Sequence, residues 1–198
     1  VETKRGPVLV ATAPYPTRAH LLHEDDLSAR HSIAKIDELM ARRLDETLAE
    51  LARDAEAYDM PRVLTGHFTV SGATWGSERS VMLGRDATVL LSTLADPAWD
   101  YVALGHIHKF QCLNMDRPDM PPVIYSGSLE RIDFGEENED KGFVWVKLER
   151  GRAQWEFKQV DCRKFITLRV DVRRQGNPTQ VVLDAITQHD LRDAVVRC

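Results

Sequence analysis

The chain has 198 residues, 43% of them hydrophobic, and a formal charge of −5, so it can bury a real core of one domain and part of a second. The charge excludes a generally basic nucleic-acid coat, while leaving room for a local basic strip or a metal that receives phosphate. No apolar run reaches the length of a membrane span and no charged, apolar, small-residue leader opens the sequence, and three scattered cysteines, Cys112, Cys162 and Cys198, point to reduced thiols in a cytoplasmic protein.

Gly6 to Thr12 is an apolar run bounded by prolines, and predicts a strand that enters a loop stiffened by Pro14 and Pro16. Ile33, Ile36, Met40, Leu44, Leu48, Leu51 and Ala55 then recur at helical steps, with Ser28 or Ser32 as N-cap and Pro61 as the stop. Arg42, Arg43, Asp45, Glu46, Glu50 and Arg53 fill the opposite face, as a solvated helix surface does. Arg62–His67 is a short strand running into Gly66-His67, and Val81–Gly84 forms another short strand. Asp86–Leu94 is a brief helix, stopped near Pro97. A second strand from Asp100 to Leu104 delivers Gly105-His106-Ile107-His108, and a third, Val123–Tyr125, ends at Ser126-Gly127-Ser128.

Beyond an acidic stretch (Glu136, Glu137, Glu139, Asp140) the period changes to two. Phe143 to Val146 and Trp155 to Phe157 make a hairpin around Gly151, with aromatics on both sides of the pleat and both faces covered. The tail predicts a strand over Phe165–Val172, an amphipathic helix over Thr179–Gln188 with Val182, Leu183 and Ile186 inward, and a strand starting at Ala194. This divides the chain at about residue 160: residues 1–160 form one unit, and 161–198 begin a small strand–helix–strand domain. Val1 in place of a methionine, and Cys198 just after an apolar stretch, read as the ends of a piece of a longer protein.

Most histidines are structural or exposed, and His20, His23, His31 and His189 take that reading. His67, His106 and His108 differ in their setting. Each block follows a glycine at the end of a strand, where open α/β sheets gather their ligands. In extended backbone His106 and His108 point to the same side. Imidazole is the commonest nitrogen ligand for divalent transition ions, so these three residues are the candidate metal ligands. Asp100 lies at the wrong end of its strand to join them, while Glu130, Asp133 and Glu136, which follow Gly127, remain candidates without metal-site spacing.

Thr65-Gly66-His67-Phe68, Gly105-His106-Ile107-His108 and Tyr125-Ser126-Gly127-Ser128 together resemble the later motifs of calcineurin-like metallophosphoesterases. Val70-Ser71-Gly72-Ala73, Gly76-Ser77-Glu78-Arg79 and Leu129 to Glu136 resemble the bacterial SbcD type, the nuclease subunit of a double-strand-break repair complex. The resemblance implies the second half of a metallophosphoesterase β-sandwich flanked by helices, an α/β (α+β) fold, followed by the start of a capping domain that touches DNA. It implies a centre of two divalent cations, manganese in this family, with His67 and His106 on one ion and His108 on the other. It implies phosphodiester hydrolysis on DNA, an SbcC-type ATPase partner and a place at the bacterial nucleoid. The family's Asp-x-His, Gly-Asp and Gly-Asn-His motifs do not occur in this sequence, so the segment is expected to be inactive alone and to contain no catalytic residue of its own.

Arg163, Lys164, Arg169, Arg173 and Arg174 oppose only Asp161 and Asp171 between residues 161 and 174. Arg163, Lys164 and Arg169, with Arg131 beside the Ser-Gly-Ser turn, are the candidate DNA contacts; the plainer alternative is a charged strand face. Val63, Val102, Leu104 and Ile124 are expected to share an inner sheet face without a cover, which predicts a tight or swapped homodimer or a co-purified N-terminal half. Two alternatives stand beside the nuclease reading: a scaffold that binds DNA or the ATPase without catalysis, and a metallophosphoesterase acting on nucleotides.

Overall fold

The computed structural model describes residues 1–22, 26, 32–77 and 87–198. Expectations for His23, Ser28, His31, Glu78, Arg79, Val81–Gly84 and Asp86 fall outside the described residues. Glu2–Thr3 (β1) and Gly6–Pro7 (β2) form a small ladder ahead of Leu9–Ala13 (β3). Arg18–Leu21 (α1) is a single turn, and Ile33–Ala55 (α2) is the long helix of the chain. Ser32 caps it, its hydroxyl accepting from the Lys35 amide at 3.3 Å. Leu39, Met40, Leu44, Leu48, Ala52 and Ala55 are buried along its inner stripe. Ile33, assigned to that stripe by its spacing, sits in the first turn and is exposed. Ion pairs Lys35–Glu38, Arg42–Glu46 and Arg53–Glu50 line the outer surface, as expected of a solvated face.

The central sheet takes Arg62–His67 (β4), Tyr101–Gly105 (β7), Gln111–Cys112 (β8) and Val123–Tyr125 (β9) in the order β3-β4-β7-β9-β8. Neighbours from β3 to β9 are parallel, and only β8 runs against β9. Thr69–Val70 (β5) pairs with Thr88–Val89 (β6), followed by the single turn Leu91–Leu94 (α3). Residues 88 and 89 are therefore extended rather than part of the brief helix expected there; Ala87 and Val89, two apart, are both buried, which is strand alternation.

Alternation also decides the two faces of the sheet. Leu64, Val102, Leu104, Val123 and Tyr125 pack with Leu44 and Leu48 of α2. Val63, Tyr101 and Ile124 pack on the other side against the hairpin of Gly142–Glu149 (β10) and Arg152–Gln159 (β11), meeting Val144, Val146, Leu148 and Trp155. The expected uncovered face is thus overturned. Its four residues divide between opposite sides of the pleat, and all four are buried within the chain. They supply no apolar association surface, and the homodimer expectation loses that support.

The hairpin turns at Gly151, whose φ is +81°. Its outer face stays open, contrary to expectation. Trp145 is 64% exposed, while Trp155 and Phe157 turn inward, Phe157 stacking on Phe110 with centroids 4.2 Å apart. In the tail, Phe165–Thr167 (β12) pairs in parallel with Val195–Arg197 (β13) around Pro178–Thr187 (α4), capped by Asn177. The strand is shorter than expected because β13 offers only three partners, Val195, Val196 and Arg197. Leu183, expected to point inward, is exposed. The whole is a mixed α/β fold with a mixed central sheet, and no helix among the described residues is long and apolar enough to cross a membrane.

Candidate metal centre at the strand ends

Strands β4 and β7 are adjacent and parallel, and their register sets His67 opposite Gly105. Both strands therefore release their next residues at the same carboxyl edge, the usual ligand edge of such sheets. Gly105 is a space requirement there: a Cβ at that position would lie 2.9 Å from His67 Nδ1. The chain then turns sharply, with His106 at φ +95°. A non-glycine residue held there costs of order 1–3 kcal/mol, which surrounding packing must offset. This turn corrects the idea that His106 and His108 share a side through extended backbone, because β7 has already ended at Gly105.

The turn brings His106 against His67, their ring centroids 5.2 Å apart. Tyr15, held between Pro14 and Pro16, approaches both rings at 6.0 and 5.8 Å, and Trp75 stands 5.5 Å from His106. His108 has other neighbours. Its Nδ1 lies 3.0 Å from Oε1 of Glu136, a carboxylate with no solvent exposure. Glu136 Oε2 is 2.9 Å from the buried Lys141 Nζ and accepts from the Ile132 amide at 3.1 Å. Burial pushes the Glu136 carboxyl upward, but Lys141, His108 and the Ile132 amide outweigh it and hold the group below the ordinary carboxylate value. Lys141 also pairs with Glu139 at 2.9 Å and donates to the His108 carbonyl at 3.2 Å.

The Ser126-Gly127-Ser128 turn buttresses the same segment. Ser128 N donates to the His108 carbonyl at 3.0 Å, and Gly127 has φ +75°. A Cβ on Gly127 would stand 2.8 Å from that carbonyl oxygen and 2.9 Å from Phe110 N.

Other residues singled out in the sequence take structural positions. Asp100 is buried at the opposite end of β7 and receives the Arg62 amide, the Gly151 amide and the Arg150 guanidinium. Arg131 is engaged within the chain, donating to the carbonyls of Glu136, Glu139 and Arg163 and to Cys162 Sγ. Arg163 and Lys164 are exposed but line a depression with Arg192 and the acids Glu130, Asp161 and Asp193, so the local cations are matched by anions. Arg169 is exposed, and Arg173 is bonded to Asp171. His20 is exposed, and His189 contacts the Ala185 carbonyl. All three cysteines are free thiols.

With a metal–nitrogen bond of about 2.1 Å and bond angles of roughly 90–110°, two imidazoles on one ion hold their centroids roughly 4.5–5.3 Å apart. The 5.2 Å between His67 and His106 fits that spacing. Their donor chemistry fits too, since neutral imidazole suits divalent transition ions. Among the described residues no three His, Cys, Asp or Glu side chains converge as a metal-holding group, and His67 and His106 stand there as a pair. Lys141, Tyr15 and Trp75 went unnoticed in the sequence, and Glu136 was a candidate without metal-site spacing. Glu136 was hidden within an acidic run, where the one signal was the lysine that closes the run just before an apolar strand. Comparison with models of known protein families finds none that matches the chain.

Proposed function

We propose that this chain is the histidine-bearing part of a metal-dependent phosphodiesterase, a DNA nuclease of the SbcD type, folded as the second half of a metallophosphoesterase sandwich. The observation that carries the reading is the pairing of His67 and His106 at one parallel sheet edge, 5.2 Å apart. In this reading the two rings hold one divalent cation, manganese, and His108 offers its ring to a second; the carboxylate ligands come from outside this sequence. The chemistry that such ions would supply, when bound, is charge stabilisation on a phosphate and acidification of a water. The chain's own residues supply position: Gly105 leaves room for His67, the positive-φ turn swings His106 over it, and the Gly127 turn anchors the His108 backbone. DNA is the proposed substrate, and Arg163, Lys164 and Arg169 are its proposed contacts in this chain. Since Arg163 and Lys164 stand among matching acids, their contribution to affinity is expected to be small and salt-sensitive.

Manganese titration followed by calorimetry tests the reading on the chain itself. Weak binding that His67→Ala and His106→Ala each abolish, with folding intact by circular dichroism, is the expected result. Uptake indifferent to both substitutions would sink it. The chain mixed with manganese and linear DNA should cut nothing. Salt-sensitive DNA binding without any manganese uptake would favour the scaffold reading instead.

A further inference from the structure

Away from the paired rings of His67 and His106, Glu136 and Lys141 form a buried pair of charges beside His108. Glu136 and Lys141 are 0% and 1% exposed, a burial that unpaired charged residues almost never show. Withdrawing two charges from water costs several kcal/mol per ion, and a buried pair is often no more stabilising than apolar residues of similar size. What the pair does accomplish is directional. An ionised carboxylate has only lone pairs to offer. Glu136 Oε2 is occupied by Lys141 Nζ at 2.9 Å and the Ile132 amide at 3.1 Å, which fixes the plane of the carboxylate and leaves Oε1 aimed at His108 Nδ1, 3.0 Å away. Lys141 grips the other side of the same residue through the His108 carbonyl at 3.2 Å. One salt bridge thus holds both the ring and the backbone of His108.

We infer that Glu136 is a positioning residue: its buried carboxylate, itself held by Lys141, receives the Nδ1–H proton of His108 and so makes Nε2 the ring's lone-pair nitrogen. A histidine that donates one ring N–H to a carboxylate is fixed in tautomer and orientation for ligation through the other nitrogen. The inference deepens the metallophosphoesterase reading and rests on it for the identity of the ligand, a divalent cation, but the proton placement can be read with no metal present.

The test is nitrogen-15 NMR of the histidine-labelled 198-residue chain without metal, at a pH well above the ordinary imidazole value of about 6.5. The His108 signals are identified by their loss in His108→Gln. The wild type should give Nδ1 as the protonated nitrogen and Nε2 as the bare one. The double variant Glu136→Leu with Lys141→Met removes the acceptor and its counter-charge together, leaving only the partly exposed Glu139 carboxylate without its Lys141 partner. It should keep the native circular dichroism while His108 moves to the Nε2–H form. Glu136→Gln, with an amide oxygen in place of the carboxylate, should fall between the two. Wild-type His108 protonated at Nε2, or a double variant that keeps Nδ1–H, overturns the inference. Should the double variant not fold, the wild-type tautomer and Glu136→Gln decide the matter by the same criteria. Manganese calorimetry separates the two readings, because uptake rests on His67 and His106 while the proton placement on His108 rests on Glu136. A wild type that places the proton on Nδ1 but takes up no manganese supports the positioning role and sinks the metal reading alone.

Discussion

Gly127→Ala isolates the close backbone approach that anchors His108. The glycine has φ +75°, and an added Cβ would meet the His108 carbonyl oxygen at 2.8 Å and Phe110 N at 2.9 Å. Both are main-chain atoms, so no rotamer change relieves the contact. Left-handed backbone costs an alanine roughly 1–2 kcal/mol, and forcing the backbones apart adds roughly 1–3 kcal/mol. Gly72 is the control, with φ +86° but nothing within 4 Å of its Cβ, so Gly72→Ala carries the conformational cost alone. The two variants should therefore differ by about 2 kcal/mol. For a chain of this size that corresponds to about 4–8 °C in thermal midpoint, with Gly127→Ala the lower. Differential scanning fluorimetry measures both against the wild type. Equal midpoints for the two variants would refute the close-approach argument.

Two further outcomes follow from side chains remote from that turn. Glu137 receives the Thr167 hydroxyl at 2.6 Å and its amide at 2.8 Å, and these hold its carboxyl below the ordinary value. A depressed folded value means that the stabilisation is complete above the unfolded value of about 4.3 and is lost as pH falls through the folded one. Hydrogen exchange at Thr167 should therefore lose protection on acidification, and Glu137→Gln should flatten that loss; an identical acid limb in both proteins would contradict the assignment. Among the thiols, Cys198 is exposed, whereas burial raises the Cys112 thiol above its ordinary value, with Asp116 adding to the rise. Maleimide labelling near neutral pH, read by peptide mass spectrometry, should modify Cys198 promptly and Cys112 only slowly until denaturant is added; equal rates would mean that β8 does not shelter its cysteine.

The sequence by itself determined most of the local frame. Apolar steps of three and four predicted α2, and Ser32 capped it. The runs ending at Gly66-His67 and Gly105-His106 predicted two strands, and parallel pairing set those ends side by side. The hairpin announced itself through period two and Gly151. The elements themselves were legible because each depends on residues within a few positions of one another, whereas the β4–β7 pairing joins Val63 to Tyr101 across a long stretch of chain.

Tertiary structure alone decided which face each strand residue meets. Val102 lies against α2 while Val63 lies against the hairpin, because register, not hydrophobicity, assigns side chains across a pleat. It alone decided that Glu136, one of four acids in a short run, enters the interior while its neighbours stay nearer solvent. A buried carboxylate needs a cation and donors at fixed distances, and His108, the Ile132 amide and Lys141 meet only once the β7 exit loop, the 132–136 turn and the start of β10 have packed together. Composition encodes the charges, but only packing makes partners of them.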